Sequence, residues 1–288
     1  MGDQSAAIES VTYLIANHNL GRYIGECLSS LVAQTNPNWL ALVVDDASTD
    51  ESREVIARCG DPRVRMLVND DNLGYIATLR RLIAEATTDI VAILDADDAV
   101  SADATEHLLA AYQADSDTEF VFSRFAACDD RLAVQRVWGA AVPEGSTALL
   151  DGVVGHIRSF RRRAYRRTAG LDDSMLYAED RDLVYKLEEI TRPVFVDAIL
   201  YRYREVPDSQ SRDVAKRETG ARNTWRARRA ALRRRRVSGL QRLAYEIFFW
   251  SDYVAYSNRT PRSARTLATW LSRLARLILP RSDPRSPE

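Results

Sequence analysis

The carboxylates of this chain gather in three short clusters: Asp45-Asp46, Asp95-Ala96-Asp97-Asp98 and Glu179-Asp180. Carboxylates brought into one crevice repel one another and lose hydration, so the arrangement is costly unless a cation or a hydrogen-bonding ligand compensates. A donor set made only of oxygen suits Mg2+ or Mn2+. For any one cluster, solvated turn residues and helix caps are the other reading. Asp50, in Ser48-Thr49-Asp50, is placed to cap the helix that follows it. Recurrence of the clusters along a strand-helix series favours the cation.

The elements that must position these groups are visible in the apolar pattern. Residues 11–16 (VTYLIA) and 40–46 (LALVVDD) read as buried strands, as do 63–68 (RVRMLV) and 89–97 (DIVAILDAD). Helical spacing marks 21–34, with Ile24, Leu28, Leu31 and Val32 on one side, and then 50–58, 75–86 and 102–114. Strands separated by helices of this length predict an α/β fold: right-handed crossovers and a mainly parallel, Rossmann-like sheet with helices on both faces. In such an open sheet ligands collect just past the carboxyl ends of strands, and that is where the acidic clusters are expected. A strand at 120–128 (FVFSRFAAC), a mixed region to Gly170, a helix at 179–191 and a strand at 194–204 follow. Beyond Ser211 the character changes to Arg-rich helix, with further helices at 240–257 and 262–279. The expected organisation is therefore an α/β domain over 1–211 and a basic, amphipathic helical region over 212–288.

Six strings occur along the first part: Asn17-His18-Asn19, SLVAQTNPNW (30–39), VVDDASTDES (43–52), NLGYIATLRRLIAEA (72–86), ILDADD (93–98) and GLDDSMLYAEDRDLVYKL (170–187). In this order they resemble the Ser/Thr-Tyr-Asn turn, the Ser-x-x-x-Gln-Thr helix end, Val-Asp-Asp-Gly-Ser-Thr-Asp, the Asn-x-Gly loop, the Asp-x-Asp signature and the Glu-Asp acceptor region of the family 2 glycosyltransferases with the GT-A fold. The resemblance runs from Val11 to Ser211, roughly two thirds of the chain. Each string alone is weak; the ordered set is specific.

The resemblance implies roles. Asp46 would accept a hydrogen bond from the imide N–H of uracil, for which an ionised carboxylate is suited. Asp95 would lie near the ribose and Asp97 would bind the metal, with Ala16, Asn17, His18 and Ala96 lining the donor. The His18 imidazole would offer a flat surface to the base; a neutral histidine capping the turn is the alternative. A bound Mn2+ or Mg2+ would act as a Lewis acid on the leaving diphosphate. Asp180 would be the base that takes the acceptor proton during attack, with inversion at the anomeric carbon. Its place at a helix start favours a carboxylate, and two first-turn helix acids are the plain reading of Glu179-Asp180. Glu179, Arg163 and Arg204 are candidate acceptor or diphosphate contacts. The chain departs from the family where Gly-Gly-Phe-Asp-Glu becomes Ala169–Asp173, and where Val206 occupies the position of a later His. Closure over the donor is then expected to fall to Arg204 or to an arginine within 212–222. The stretch RSFRRRAYRR (158–167) reads as a solvated basic face or as a phosphate contact.

Composition bounds the rest. With 288 residues, 46% apolar and 28% charged, the chain is neither fibrous nor disordered. Its net charge of -1 hides a division: residues 1–211 carry 21 basic against 35 acidic side chains, and 212–288 carry 19 against 6. Cys27, Cys59 and Cys128 form neither a paired disulfide set nor a CxxC metal site. No apolar run of about 18 residues is present and MGDQSAAIES is not a signal peptide, so a cytoplasmic protein is expected, peripheral on the inner face of the cell membrane. The basic tail suits an anionic membrane surface, the acidic body of its own chain or a second copy in a homodimer. Nucleic acid is not expected, because no recognition motif accompanies the charge.

These readings predict a metal-dependent, inverting glycosyltransferase that uses a UDP-sugar and extends a cell-surface glycan or lipid-linked oligosaccharide. A sugar nucleotidyltransferase would carry a Gly-rich basic phosphate loop, which LIANHNLGRY is not. A non-catalytic nucleotide-sugar-binding or assembly protein is the rival of another class, and an intact Asp97 and Asp180 argue against it.

Overall fold

The computed structural model of the chain describes residues 9–150, 154–205, 214–256 and 262–279, which fall into two compact units. The first comprises Met1–Ala141, Val154–Arg167 and Thr191–Val206; the second comprises Val142–Val153, Thr168–Ile190 and Pro207–Glu288.

In the first unit the chain runs β1 (Val11–Asn17), α1 (Gly21–Val32), β2 (Trp39–Asp46), α2 (Ser52–Arg58), β3 (Val64–Asn69), α3 (Tyr75–Glu85) and β4 (Ile90–Ile93). Then come β5 (Ala99–Val100), α4 (Ala104–Ala114), β6 (Phe120–Cys128), β7 (Val134–Trp138), β8 (Arg158–Arg161), α5 (Arg162–Arg166) and β9 (Val194–Arg204). The sheet order is β3-β2-β1-β4-β8-β6-β9-β5, with β7 hairpinned on β6. Strands β3, β2, β1 and β4 are parallel, as helix-linked crossovers require, and β6 with β9 is parallel too. The short β8 enters antiparallel between β4 and β6, and β5 is antiparallel to β9. The core forms where the apolar runs of β1, β2 and β4 meet α1 and α4: Tyr13, Ile15, Trp39, Val43, Leu28 and Leu108 are all buried. Each such side chain contributes about 1.5–3 kcal/mol through removal from water.

Two expectations change here. The strand read over 89–97 ends at Ile93, because the chain turns at the acidic cluster, where the Asp98 N–H donates to the Asp95 carbonyl at 3.0 Å. Most of the arginines of 158–167 are engaged with acids and carbonyls of the sheet. Buried Arg161 pairs with Glu9 at 2.8 Å and Asp89 at 3.2 Å, Arg163 and Arg167 share Glu119, and Arg162 donates to the Thr88 carbonyl. They fasten the amino ends of the central strands, since Arg161 lies opposite Ile90.

The described part of the second unit runs through a 3-10 turn (Asp173–Met175), α6 (Glu179–Glu188), α7 (Val214–Arg234), α8 (Gly239–Tyr256) and α9 (Arg262–Ile278). Residues 168–190, read from sequence as the end of the α/β domain, group with these helices rather than with the sheet. Charge explains the grouping, because the basic run that ends α7 complements acids of α6. Arg235 pairs with Glu188 at 2.7 Å and Arg234 with Glu189 at 2.7 Å, while Asn223 donates to the Leu176 carbonyl at 2.8 Å. Gly220 lets the two segments approach: a Cβ there would stand 2.8 Å from the Tyr177 carbonyl oxygen.

Candidate active site

The carboxyl ends of β1, β2 and β4 lie side by side, and the first two acidic clusters are their continuation. Asn17, the last residue of β1, faces Asp45 across the ladder and donates to it at 2.9 Å. Asp45 is buried and also receives Arg53 at 2.7 Å and the Ser48 N–H at 3.1 Å. Burial alone would push its pKa up, but the hydrogen bonds from Ser48, Arg53 and Asn17 outweigh that and hold it below the usual carboxylate value. Asp45 is thus a fixed anion that shapes the turn. Asp50 caps in both directions, accepting from the Gly21 N–H at the start of α1 and from the Ser52 N–H at the start of α2.

Asp46 has different company. Its Oδ1 accepts from Asn69 Nδ2 at 2.6 Å and from the Leu73 N–H at 2.9 Å, and its Oδ2 accepts from the Gly74 N–H at 2.8 Å. A carboxylate offers about four lone-pair sites, so Oδ2 keeps one for a further donor. The exposed His18 spans the same loops by its edges: Nδ1 donates to the Asp46 carbonyl at 2.6 Å, and Nε2 accepts from Asn72 and Asn19 at 3.1 Å each. That bonding puts a proton on Nδ1 and engages the ring by its edges. Ala16, the residue before Asn17 in β1, is half-buried. Asn17 is buried, and its Oδ1 is an acceptor with no donor among the described residues.

The second cluster is held from β9. Arg204 is buried, and its guanidinium donates to the Asp97 carbonyl at 2.6 Å, to the Asp130 carbonyl and to Glu26 at 2.6 Å. Its backbone N–H reaches Asp98 at 2.6 Å, and the Tyr201 hydroxyl donates to the other Asp98 oxygen at 2.7 Å. The same hydroxyl accepts from the Asp95 N–H at 3.1 Å, and Tyr75, the first residue of α3, donates to Asp95 at 3.0 Å. Ala96 is buried between them.

Electrostatics separates the members of this turn. Burial, then the charge of Asp95, pushes the Asp97 carboxyl up to about 6, against which its own N–H and Arg204 work in the other direction. Asp98 is pushed well above its ordinary value by burial and by its two neighbours. Ionising this cluster is therefore costly by itself, and a divalent cation with oxygen preference would lower the cost. Among the described residues no group of three or more His, Cys, Asp and Glu side chains is arranged to hold a metal. The residues fit a Mg2+ or Mn2+ ion of the kind bound by one or two carboxylates together with substrate phosphates. Asp97 is the candidate ligand, because Asp98 is taken by Tyr201 and Arg204.

Of the residues singled out from sequence, Ala16, Asn17, His18, Asp46, Asp95, Ala96 and Asp97 meet at this edge. Arg204 does not reach out as a diphosphate contact: its guanidinium is committed to carbonyls and Glu26, and it holds the acidic turn from beneath. Arg163 is a second correction, since it pairs with Glu119 at 3.0 Å beside Asp89, at the opposite ends of the central strands. Val206 and residues 212–213 lie outside the described residues. Glu179 and Asp180 belong to the second unit, in the first turn of α6, where Asp180 Oδ1 accepts from the Arg181 N–H at 2.7 Å. In the same turn Asp182 is buried against Lys186 at 2.5 Å. Sequence reasoning passed over Asn69, Tyr75 and Tyr201. Asn69 and Tyr75 could have been found as the polar end of β3 and the residue after Asn-Leu-Gly; Tyr201 gave no signal, because its partners lie about a hundred residues away.

The fold is shared with solved glycosyltransferases. TarS of S. aureus in complex with UDP-GlcNAc superposes with a TM-score of 0.62 at 15% identity, covering 93% of this chain and 87% of that one. The mannosyltransferase PcManGT from Pyrobaculum calidifontis, in complex with GDP-Man and Mn2+, gives 0.57 at 18% identity over 92% and 80%. At these identities the likeness is one of fold, GT-A. In sequence the chain is 27% identical over 237 residues to chondroitin synthase of Pasteurella multocida (strain Pm70), which covers 80% of this chain and 24% of that protein. The chain thus spans about a quarter of that relative's length. The profile of Glycosyl transferase family 2 matches residues 12–170, more than half of the length, and the chain belongs to that family.

Proposed function

We propose that the chain is a metal-dependent, inverting glycosyltransferase that moves a sugar from a UDP-sugar to a hydroxyl of a cell-surface glycan or lipid-linked oligosaccharide. The observation that carries this reading is the meeting of His18, Asp46, Asp95 and Asp97 at one strand edge. Asp46 has an acceptor site left for the imide N–H of uracil, and the edge-bonded His18 ring offers its face to the base. Asp95, positioned by Tyr75 and Tyr201, lies beside the ribose. Asp97 would hold Mn2+ or Mg2+; when bound, the ion neutralises charge on the departing diphosphate. Asp180 is the base by its place in the motif and at a helix start. Its carboxylate takes the acceptor proton as the hydroxyl oxygen bonds to the anomeric carbon and the bond from that carbon to the diphosphate breaks. One displacement of this kind inverts the centre. A polysaccharide setting is supported by the synthase relative, and a nucleotide-sugar donor by the two structural neighbours.

The test separates binding from chemistry. Asp97→Ala should abolish metal-dependent UDP binding in calorimetry, and Asp46→Ala should weaken UDP binding with or without metal. Asp180→Asn should keep donor affinity while transfer falls by about 10²- to 10⁴-fold. Unchanged metal-dependent affinity in the Asp97 variant would sink the metal assignment, and near-normal turnover in the Asp180 variant would place the base elsewhere.

A further inference from the structure

The apolar face of α9 is turned outward. This helix packs on α8 through its small-residue side, where Ala268 and Ala275 are buried, followed by Leu279. Leu267, Trp270, Leu274, Leu277 and Ile278 stand at i, i+3, i+7, i+10 and i+11, which is one face of a helix. They are between 38% and 79% exposed, with Trp270 at 59% and Leu277 at 79%. Five large apolar side chains in one row are more than the scattered surface residues of an ordinary protein.

The charge around this row has one sign. Residues 233–279 hold ten arginines and two acids. Both acids are already paired inside the unit, Glu246 with Arg229 and Asp252 with Arg228, each at 2.8 Å. Helix α9 itself has four arginines and no acid. Arg273 is exposed and lies one turn from both Trp270 and Leu277, a spacing that lets its stem cover the apolar row with its head in the headgroup layer. Some cations at the end of α7 are engaged within the unit: Arg228 pairs with Asp252, Arg234 with Glu189 and Arg235, just past the helix, with Glu188. Those cations are partly neutralised by neighbouring acids, whereas α9 holds no acid of its own.

We propose that α9 docks on an anionic bilayer, lying in the interface with Trp270 and its leucines among the acyl chains and Arg273 at the headgroup phosphates. No described helix is long and apolar enough to cross a membrane, and a basic helix with one apolar row suits an interfacial position. A second copy is the competing occupant. A twofold contact through this row would set like-charged rims against each other with no exposed acid between them, whereas an anionic surface meets the same charges with the favourable sign. The inference rests on the proposed function only for the purpose of docking, which is to bring the enzyme to a lipid-linked acceptor.

Flotation of the full chain with phosphatidylcholine vesicles, with and without phosphatidylglycerol, tests it. Binding is expected to the anionic vesicles and not to the neutral ones, with release at high salt. Leu277→Glu and Trp270→Gln should each lower partitioning by at least about tenfold, and Arg273→Glu by about fivefold or more. Circular dichroism and UDP binding in solution serve as folding controls, and they read the donor site separately, so loss of one reading is distinguishable from loss of the other. A parent chain that ignores anionic vesicles overturns the proposal, as do folded variants that still float. Light scattering that shows a dimer, made monomeric by Trp270→Gln without any vesicle binding, would make the face a self-interface instead.

Discussion

Asp97 and Asp98 are neighbours with opposite fates. Asp98 is buried and bonded to Tyr201 and to the Arg204 N–H, so it belongs to the scaffold. Asp97 is held by its carbonyl, through Arg204, which leaves the side chain for a ligand. Its carboxyl is pushed up to about 6 by burial and by Asp95, whereas an unfolded aspartate stays near 3.8. The folded chain therefore binds this proton more tightly than the unfolded chain does. Stability from this group is present at low pH and is lost as pH rises from about 4 through about 6. In metal-free buffer, Asp97→Asn should accordingly melt higher than the parent above pH 6, and the gap should close toward pH 4. Adding Mn2+ should reverse the order at neutral pH, since the cation needs the ionised carboxylate. Thermal melts across that range, with chelator and with Mn2+, check both arms; a variant that tracks the parent at every pH would show that Asp97 is not the strained group.

At the scale of elements, the join between α6 and α7 depends on a buried ion pair. Glu188 and Arg235 are 2.7 Å apart and almost wholly inaccessible, and Glu188 also accepts from the Ala148 N–H at 2.7 Å. Removing one partner strands the other charge, so Arg235→Ala should cost about 3–5 kcal/mol. The double change Arg235→Met with Glu188→Met should cost less than either single change, and urea unfolding of the three variants measures the coupling. This join also shows where sequence reasoning stops. The strands β1 to β3 and the helices between them were legible because their apolar runs are local and end in acids or turn residues. The site strings were legible for the same reason, lying at those ends. Strand β8 was not, because RSFR has no alternating pattern and is a strand only by lying between β4 and β6. Nor was the commitment of Arg204, whose partners Glu26, Asp97 and Asp130 are set by the fold and not by spacing.

For the whole molecule, the charge division at about residue 211 invites a cut into an acidic enzyme body and a separable basic tail. The compact units argue against that cut. Residues 168–190 carry the motif with Asp180, and they are held by Asn223 and Arg234 of α7 and by Arg235 just past it. Ending the chain at Ser211 removes all three and leaves Glu188 without its cation. It also uncovers the side of α6 that carries Glu188 and Glu189. With about 3–5 kcal/mol lost at the Glu188 pair alone, a drop in melting temperature on the order of 10 °C is expected for a fragment of this size. Scanning calorimetry of residues 1–211 beside the full chain makes the comparison, and proteolysis of the fragment should begin within 168–190, where the supporting contacts are gone. A fragment that melts with the full chain and resists cleavage there would mean that these residues stand without α7 and that the basic helices are an appendage after all.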